Sequence, residues 1–411
     1  MTASWARRWL SPIVGLTFGA TIGWWSMHGG TCRAAPAPVS PTTPVATRPK
    51  PDGAAAAAAT TLLPGVRVGP WGAVDSRIAQ IEVPAEFVTA ADCSSDVPLW
   101  YLKAHTRASL PAFLDSAGVG AIARDWLVEH AQYFDEGVVI DPPADLIRDL
   151  SREAHGKLYR ELRRESKNLQ LLVAFRSRPS EVAEFLADSG LDAADLSRFH
   201  GLSYEDGGLV WMTDQAVMCG RAASDEQRIR IVRTLSRTRT VIARLRVTKD
   251  MDLTAVAAYW GGHGLGRDSR QLIEGVARRG GEIDVLHLLP PLVRERLDTF
   301  PVLEQPQYEC FWTALNFFAK PESTLVSGPE DAQRAIAADY QPVTFDGGTL
   351  ALTPDRITEA TSRQLRLGDV LLFFAGEGGP IHAAAQVASD IVYTKNGIGQ
   401  WNPWVLMHLS D

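Results

Sequence analysis

The stretch RLGDVLLFFAGEGGPIHAAAQVASDIVYTKNG, residues 366–397, carries the clearest fold signal in the chain. It starts with a turn at Gly368–Asp369, continues with an apolar run at Val370–Phe374 and then enters a glycine-rich loop. Apolar runs bounded by turn residues are typical of strands. The pattern therefore predicts one strand at 370–374, a second that begins near His382 and a third from Ile391 to about Asn396.

Upstream of this sheet, QYECFWTALNFFAKP at 307–321 predicts a short helix. Apolar residues recur there at three- and four-residue spacing, and Pro321 ends the run. Cys310 falls in the first turn, where the helix dipole and free backbone donors favour a thiolate. A lone cysteine at a helix start is more often a small buried apolar residue. His382 favours the reactive interpretation of Cys310, because a histidine at the start of a strand can face such a cysteine and form a thiolate–imidazolium pair.

The order of these features resembles the NlpC-type family of papain-like cell-wall peptidases and amidases. Cys310, Gly368, Asp369 and His382 match the positions of that pattern, over about the last quarter of the chain. The resemblance implies an α+β fold in which the cysteine helix packs on an antiparallel sheet. It also implies that Cys310 is the nucleophile and His382 the base, without a metal or other cofactor.

The third catalytic position of the family is a polar residue about a dozen residues after the histidine, and here two residues compete for it. Asn396 is the predicted orienter and Thr394 the alternative, because a carboxamide fixes an imidazole more rigidly than a hydroxyl does. Asn396 also precedes Gly397, and Asn-Gly is itself a hairpin-turn signal.

The surroundings of the nucleophile depart from the family, which usually has Asp-Cys-Ser-Gly where this chain has Glu-Cys-Phe-Trp. The bulky Trp312 is therefore predicted to shape the substrate groove. The backbone N–H of Cys310 is the expected oxyanion donor, and Gln305, Gln307 or Tyr308 is expected to supply a second.

The N-terminal part reads as an export segment followed by a linker. Two arginines precede an apolar run at residues 9–25, whose length suits either a cleaved signal peptide or an uncleaved inner-membrane anchor. Residues 1–33 are therefore predicted to be a signal or anchor. The Ala-, Pro- and Thr-rich residues 34–65 have no apolar periodicity and are predicted to be a linker.

Between the linker and the cysteine helix, residues 66–303 show mainly helical periodicity, for example at 109–131, 144–165 and 225–247. Shorter runs, such as GLVWMTD at 208–214 and the end of the 225–247 segment, suit strands equally well. The sequence predicts a predominantly helical domain of unknown fold here. A boundary near Leu303 separates it from an NlpC-like domain at 304–411.

Composition excludes some classes of function. The 411-residue chain has a formal net charge of −7, which argues against a general nucleic-acid binder. One dense arginine run at 228–246 is predicted to be a solvated helix face offset by nearby acids. Of the four cysteines, Cys93 and Cys219 are the candidate disulfide pair, although two unrelated buried thiols fit the sequence as well.

Together these features predict an exported bacterial cysteine hydrolase of the periplasm or cell envelope. The resemblance implies that it cleaves an amide through an acyl-thioester in peptidoglycan stem peptides, and the net charge predicts that it binds no nucleic acid. The alternative is a catalytically inactive NlpC-like module that binds the envelope, which the altered surroundings of Cys310 favour.

Export has a direct test. Alkaline phosphatase fused after Asp411 is expected to be active in cells, because this enzyme needs disulfides that form outside the cytoplasm. The matched control is the same fusion without residues 1–33, which is expected to be inactive. Equal activity of the two fusions would contradict an export role for these residues.

Overall fold

The computed structural model describes residues 66–103, 105–168, 175–262, 265–302, 309–319, 334–336, 365–374, 380–397, 399–409 and 411. Within these residues the protein is mixed α+β with small antiparallel sheets, in agreement with the predicted fold class at that level. The predicted export segment and linker, residues 1–65, lie outside the described residues. No helix of the described residues is long and apolar enough to cross a membrane.

The described strands are β1 (Arg67–Gly69), β2 (Gly72–Ile81), β3 (Trp100–Lys103), β4 (Gln132–Phe134), β5 (Gly137–Ile140), β6 (Phe175–Ser177), β7 (Tyr204–Asp206), β8 (Leu209–Met212), β9 (Thr238–Val247), β10 (Gly281–Asp284), β11 (Val370–Phe374), β12 (Pro380–Ala388), β13 (Ile391–Lys395) and β14 (Trp404–His408). The described α-helices are α1 (Leu110–Ala117), α2 (Ala121–His130), α3 (Ala144–Arg148), α4 (Arg152–Leu162), α5 (Val182–Leu186), α6 (Ala193–Leu202), α7 (Gln215–Cys219), α8 (Asp225–Leu235), α9 (Leu253–Trp260), α10 (Gly266–Ala277), α11 (Pro291–Arg296) and α12 (Cys310–Leu315).

Contacts along the chain form two compact units. Among the described residues, the first unit is 82–237, and the second combines 66–81 with the residues from 238 onward. The second unit therefore groups β2, β9 and β10 with α12 and the C-terminal strands, across the boundary predicted near Leu303.

The first unit contains α1–α8 and two three-stranded sheets, ordered β3-β5-β4 and β6-β8-β7. Its helices begin where the sequence supplies caps. In α4, for example, the Ser151 hydroxyl accepts a hydrogen bond from the Ala154 N–H. The same helix buries Leu158, Tyr159 and Leu162 at three- and four-residue spacing, as its periodicity predicted. The run at 208–214 forms β8, which resolves the open choice in favour of a strand.

A disulfide ties α7 to the turn that follows residue 92. Cys93 and Cys219 are bonded, with Cα atoms 5.4 Å apart, within the ordinary range for a disulfide. The pairing that the sequence left open is therefore formed, and Cys310 is the free thiol among the described cysteines. A bond that spans 126 residues of chain restricts the unfolded state strongly.

The second unit is built on two antiparallel sheets. Ten-residue strands β2 and β9 pair from Ala73–Arg246 to Ile81–Thr238, with β1 and β10 at the edges. The C-terminal sheet has the order β11-β12-β13-β14, so sequence neighbours pair. The three strands predicted from residues 366–397 are confirmed with nearly the same bounds, and β14 is an addition.

One core joins these two sheets. Trp71, Leu245, Trp260 and Ile273 belong to the same buried cluster as Cys310 and the alternate residues of β12. The Trp260 indole N–H donates to the Trp71 carbonyl at 2.8 Å, which satisfies a polar atom that would be costly to bury alone. From the neighbouring position on α9, the Tyr259 hydroxyl donates to the Val387 carbonyl at 2.8 Å. Packing against the first sheet therefore fixes the position of β12.

The arginine run at 228–246 is largely paired with acids, as predicted, but it does not form one helix face, because it continues from α8 into β9. Its ion pairs join Arg228 to Asp225, Arg233 and Arg237 to Glu82, Arg239 to Asp411, Arg244 to Glu282, and Arg246 to Asp75 and Glu282. This pairing with acids argues against a polyanion-binding stripe.

The disulfide is expected to stabilise the first unit. The double variant Cys93→Ser/Cys219→Ser should lose about 2–5 kcal/mol of unfolding free energy, because its unfolded chain is no longer cross-linked. Urea unfolding monitored by far-ultraviolet circular dichroism measures the difference. Cys310→Ser, which leaves the disulfide intact, is the control for thiol removal. A double variant as stable as the wild type would contradict a stabilising role.

Candidate functional site

Cys310 opens helix α12, which is six residues long and packs against β12 and β13. The carbonyl of Glu309, the residue before the helix, accepts hydrogen bonds from the Thr313 N–H at 3.0 Å and hydroxyl at 2.8 Å. The Glu309 side chain makes no cap bond. Cys310 is therefore the first residue of a short helix whose first turn is stabilised by hydrogen bonds to the Glu309 carbonyl. The Cys310 residue is only 7% exposed.

The Gly368–Asp369 dipeptide aligns β11 with this helix. Gly368 has a positive φ of 80°, and a Cβ there would come within 2.0 Å of the Phe318 ring, so glycine is required on both counts. The Asp369 carboxylate accepts from the Arg366 N–H, and the Asp369 carbonyl accepts from the Gln386 N–H, both at 2.8 Å. The dipeptide thus forms the turn that leads into the sheet.

His382 is positioned by β13. Its Nε2 lies 2.9 Å from the Thr394 hydroxyl oxygen, and that hydroxyl also donates to the Ala383 carbonyl at 3.1 Å. Because the Thr394 proton goes to the carbonyl in this arrangement, the hydroxyl oxygen is left to accept from an Nε2–H tautomer. Phe373, paired with His382 in the ladder, places its ring 5.6 Å from the imidazole.

Asn396 does not share this arrangement. Its side-chain amide lies 3.1 Å from the Met407 sulfur and is exposed. Of the two candidates for the third catalytic position, Thr394, the alternative orienter, is the one whose side chain contacts His382 among the described contacts. Strand geometry explains the difference, because the Asn396 position follows the end of β13 at Lys395.

Cys310 and the imidazole have different described neighbours. Tyr393, next to Thr394 in β13, packs its ring 6.0 Å from that of Phe317, two residues after the end of α12. No hydrogen bond between Cys310 and His382 occurs among the described contacts.

Burial is the largest influence on the pKa values of Cys310 and His382. The pKa of the Cys310 thiol is raised to about 11, first by burial and further by the Glu309 carboxylate, although the Ala383 N–H stabilises the thiolate. The pKa of His382 is lowered to about 4 because burial disfavours the imidazolium. The thiolate expected from the helix start is therefore not favoured here, since desolvation outweighs the donors of a short helix.

Sequence reasoning missed Lys395. Its side chain is fully buried, and the ammonium donates to the carbonyls of Gly397 and Gly399. Burial lowers its pKa to about 8, while the negative charge of an ionised Cys310 acts to raise it. The available signal was a lysine that directly continues the apolar strand IVYT before an Asn-Gly turn.

The remaining predicted residues divide into buried and undescribed ones. Trp312 is buried, and the Arg296 guanidinium lies 5.2 Å from its ring and 4.8 Å from that of Trp404. Gln305, Gln307 and Tyr308 lie outside the described residues. Across the described part of the chain, no group of three His, Cys, Asp or Glu side chains is arranged to hold a metal ion.

Burial of His382 makes stability depend on pH. Its pKa is about 4 in the folded protein against an ordinary 6.5, so below pH 6.5 the unfolded chain takes up the proton more readily. The free energy of unfolding is therefore expected to fall between about pH 6.5 and 4. His382→Gln should reduce this loss, whereas His287→Gln, at an exposed histidine of the same unit, should not. Urea unfolding across this pH range measures the slopes, and the same slope for wild type and His382→Gln would refute the expectation.

Comparison with known proteins gives no assignment. No family model matches the chain, and neither the curated proteins nor the solved structures include a match. Function must therefore come from the chemistry of the site, because a fold by itself does not specify an activity.

Proposed function

We propose that the C-terminal part of the chain is a papain-like cysteine hydrolase of the NlpC type. Cys310 is the nucleophile and His382 is the group that accepts its proton. The observation that supports this assignment is the 2.9 Å contact of His382 Nε2 with Thr394. That contact fixes one ring nitrogen and leaves Nδ1 as the nitrogen that serves the thiol.

The reaction proceeds in two steps. The Cys310 sulfur attacks an amide carbonyl carbon, the thiol proton passes to His382, and the imidazolium returns it to the departing amine. Water then hydrolyses the thioester and restores the thiol. The described arrangement has no bond between the two side chains, so the first step requires the imidazole to turn toward the sulfur when substrate binds.

Peptidoglycan stem peptides are the proposed substrate, in the periplasm or cell envelope. The Cys93–Cys219 disulfide supports this location, because such bonds persist mainly in oxidising compartments. The apolar residues 9–25 support export, with or without retention as an inner-membrane anchor. The choice of wall peptide over other amides rests on the NlpC resemblance.

A specific observation favours a second candidate, an inactive envelope-binding module. The thiol is buried with a pKa of about 11, and no hydrogen bond joins it to His382 among the described contacts. A structural cysteine has this character, whereas a reactive one is partly exposed with a lowered pKa.

Turnover of purified peptidoglycan distinguishes the two candidates. The wild-type chain is expected to release amine-bearing fragments, Cys310→Ser to release none, and His382→Ala nearly none. Thr394→Val should reduce the rate about 10- to 100-fold, because it only orients the imidazole. Chromatography of the released muropeptides measures each rate.

Asn396→Ala is the matched control for Thr394→Val and should retain wild-type activity, since the described contact of its side chain is with Met407 and not with His382. Fragments from Cys310→Ser equal to those from the wild type, across several wall preparations, would exclude the hydrolase and leave the binding module.

A further inference from the structure

One carbonyl at the start of α12 accepts two hydrogen bonds from a single residue. The Thr313 hydroxyl donates to the Glu309 carbonyl at 2.8 Å, and the backbone N–H of Thr313 donates to the same oxygen at 3.0 Å. Thr313 is buried, so water does not compete for these bonds. A threonine hydroxyl often bonds to the carbonyl four residues earlier in a helix. The consequence here comes from which carbonyl that is.

The Glu309 carbonyl belongs to the peptide group that supplies the N–H of Cys310. This peptide group is trans, and a trans peptide is planar, with its C=O and N–H pointing in opposite directions. Holding the Glu309 oxygen therefore also fixes the direction of the Cys310 N–H, the donor that the sequence assigns to the oxyanion. Thr313 thus acts on that donor through a rigid unit, without touching the sulfur.

Trp404 extends this chain of hydrogen bonds. Its indole N–H donates to the Thr313 hydroxyl oxygen at 3.2 Å. An indole N–H is only a donor and a carbonyl is only an acceptor, so the direction of the chain runs from Trp404 through Thr313 to Glu309. Each bond in such a chain polarises the next one, which strengthens the bond to the carbonyl.

The position of Trp404 is itself fixed by its backbone and its ring. Its backbone N–H donates to the Thr299 carbonyl at 3.2 Å, and its carbonyl accepts from the Asp298 N–H at 2.7 Å. The side chain is buried, with the Arg296 guanidinium 4.8 Å from the ring centre. The indole therefore gives the Thr313 hydroxyl a donor with little freedom to move.

We propose that Thr313, supported by Trp404, is a positioning residue that aims the Cys310 N–H at the oxyanion. When the Cys310 sulfur forms its bond to the amide carbon, the electron pair of the carbonyl π bond moves to the oxygen. This negative charge develops only as the bond forms, so a donor aimed at it speeds the step without tightening substrate binding. The two hydrogen bonds to the Glu309 oxygen also polarise the peptide group, which makes its N–H a stronger donor.

This inference rests on the proposed function, because an oxyanion forms only where Cys310 attacks a carbonyl. It identifies a second kind of support in the site. Thr394 orients His382, the group that moves the proton, whereas Thr313 orients the group that stabilises the negative charge.

The test compares the cleavage of soluble muropeptides by the full chain and by Thr313→Val, which keeps the shape of the side chain and removes the hydroxyl. The kcat per folded protein, with the folded fraction measured by circular dichroism, is expected to fall about tenfold at unchanged KM. This loss is smaller than the roughly 10²- to 10³-fold that follows removal of an oxyanion donor, because the N–H remains. Thr313→Ser keeps the hydroxyl and should stay within about twofold of the wild-type kcat.

Asn316→Ala is the matched control. The Asn316 side chain donates to the Trp312 carbonyl at 2.8 Å, so this variant also removes a side-chain hydrogen bond from the helix, but from a peptide group that does not include Cys310. It should keep the wild-type kcat per folded protein. Trp404→Phe removes the indole donor and should lower kcat about threefold, and it provides the test if Thr313→Val does not fold.

Equal kcat values for Thr313→Val and the wild type would overturn the inference and leave the proposed function in place. If Thr313→Val does not fold, an unchanged kcat in Trp404→Phe has the same meaning. A loss in Thr313→Ser or in Asn316→Ala as large as that in Thr313→Val would also overturn the inference, because helix packing and not the hydroxyl would then set the rate. If the wild type releases no fragments, the proposed function fails, and the inference fails with it.

Discussion

The packing of α12 on the alanines of β12 is the contact on which the rest of the candidate site depends. Ala383 and Ala385 face the helix and belong to the buried cluster that contains Cys310, Phe311 and Ala314. Their methyl groups let the helix approach the sheet closely, and a larger side chain would force the two apart because protein interiors have little spare volume. The backbone of Ala383 can reach the Cys310 sulfur only because of this approach.

The same close packing controls the electrostatics. Removal from water raises the pKa of Cys310 and lowers those of His382 and Lys395, so burial favours the neutral form of each. A single charge created in this environment is costly, whereas two opposite charges created together offset one another. A thiolate at Cys310 or an imidazolium at His382 is therefore disfavoured unless a partner of opposite charge forms with it.

The strands of the C-terminal sheet follow from local sequence. Their apolar runs, the Gly-Asp turn and the short connections are all encoded within 366–397, so neighbouring strands pair in chain order. By contrast, β2 pairs with β9, more than 150 residues away, to form a sheet that shares a core with the C-terminal one. Periodicity gives no information on such a partner, so the local sequence does not show that β2 and β9 share a core with the C-terminal strands.

The choice between Thr394 and Asn396 as the residue that orients His382 could not be made correctly from residue type alone. Residue type favoured the carboxamide, but Thr394 lies in β13 on the face of His382, and Asn396 follows the strand end. Lys395 was overlooked because its burial depends on tertiary packing, which the local sequence does not show.

By itself, the sequence determined the order of Cys310, the Gly-Asp turn and His382, the existence of three strands around them and the mixed α+β class. These are properties of residues close in the chain, governed by periodicity and turn chemistry. The tertiary structure alone decided which face of each strand meets α12, which residue contacts His382 and which cysteines are bonded. Those outcomes depend on the packing of segments distant in sequence, and a one-residue change of position along a strand moves a side chain to the opposite face.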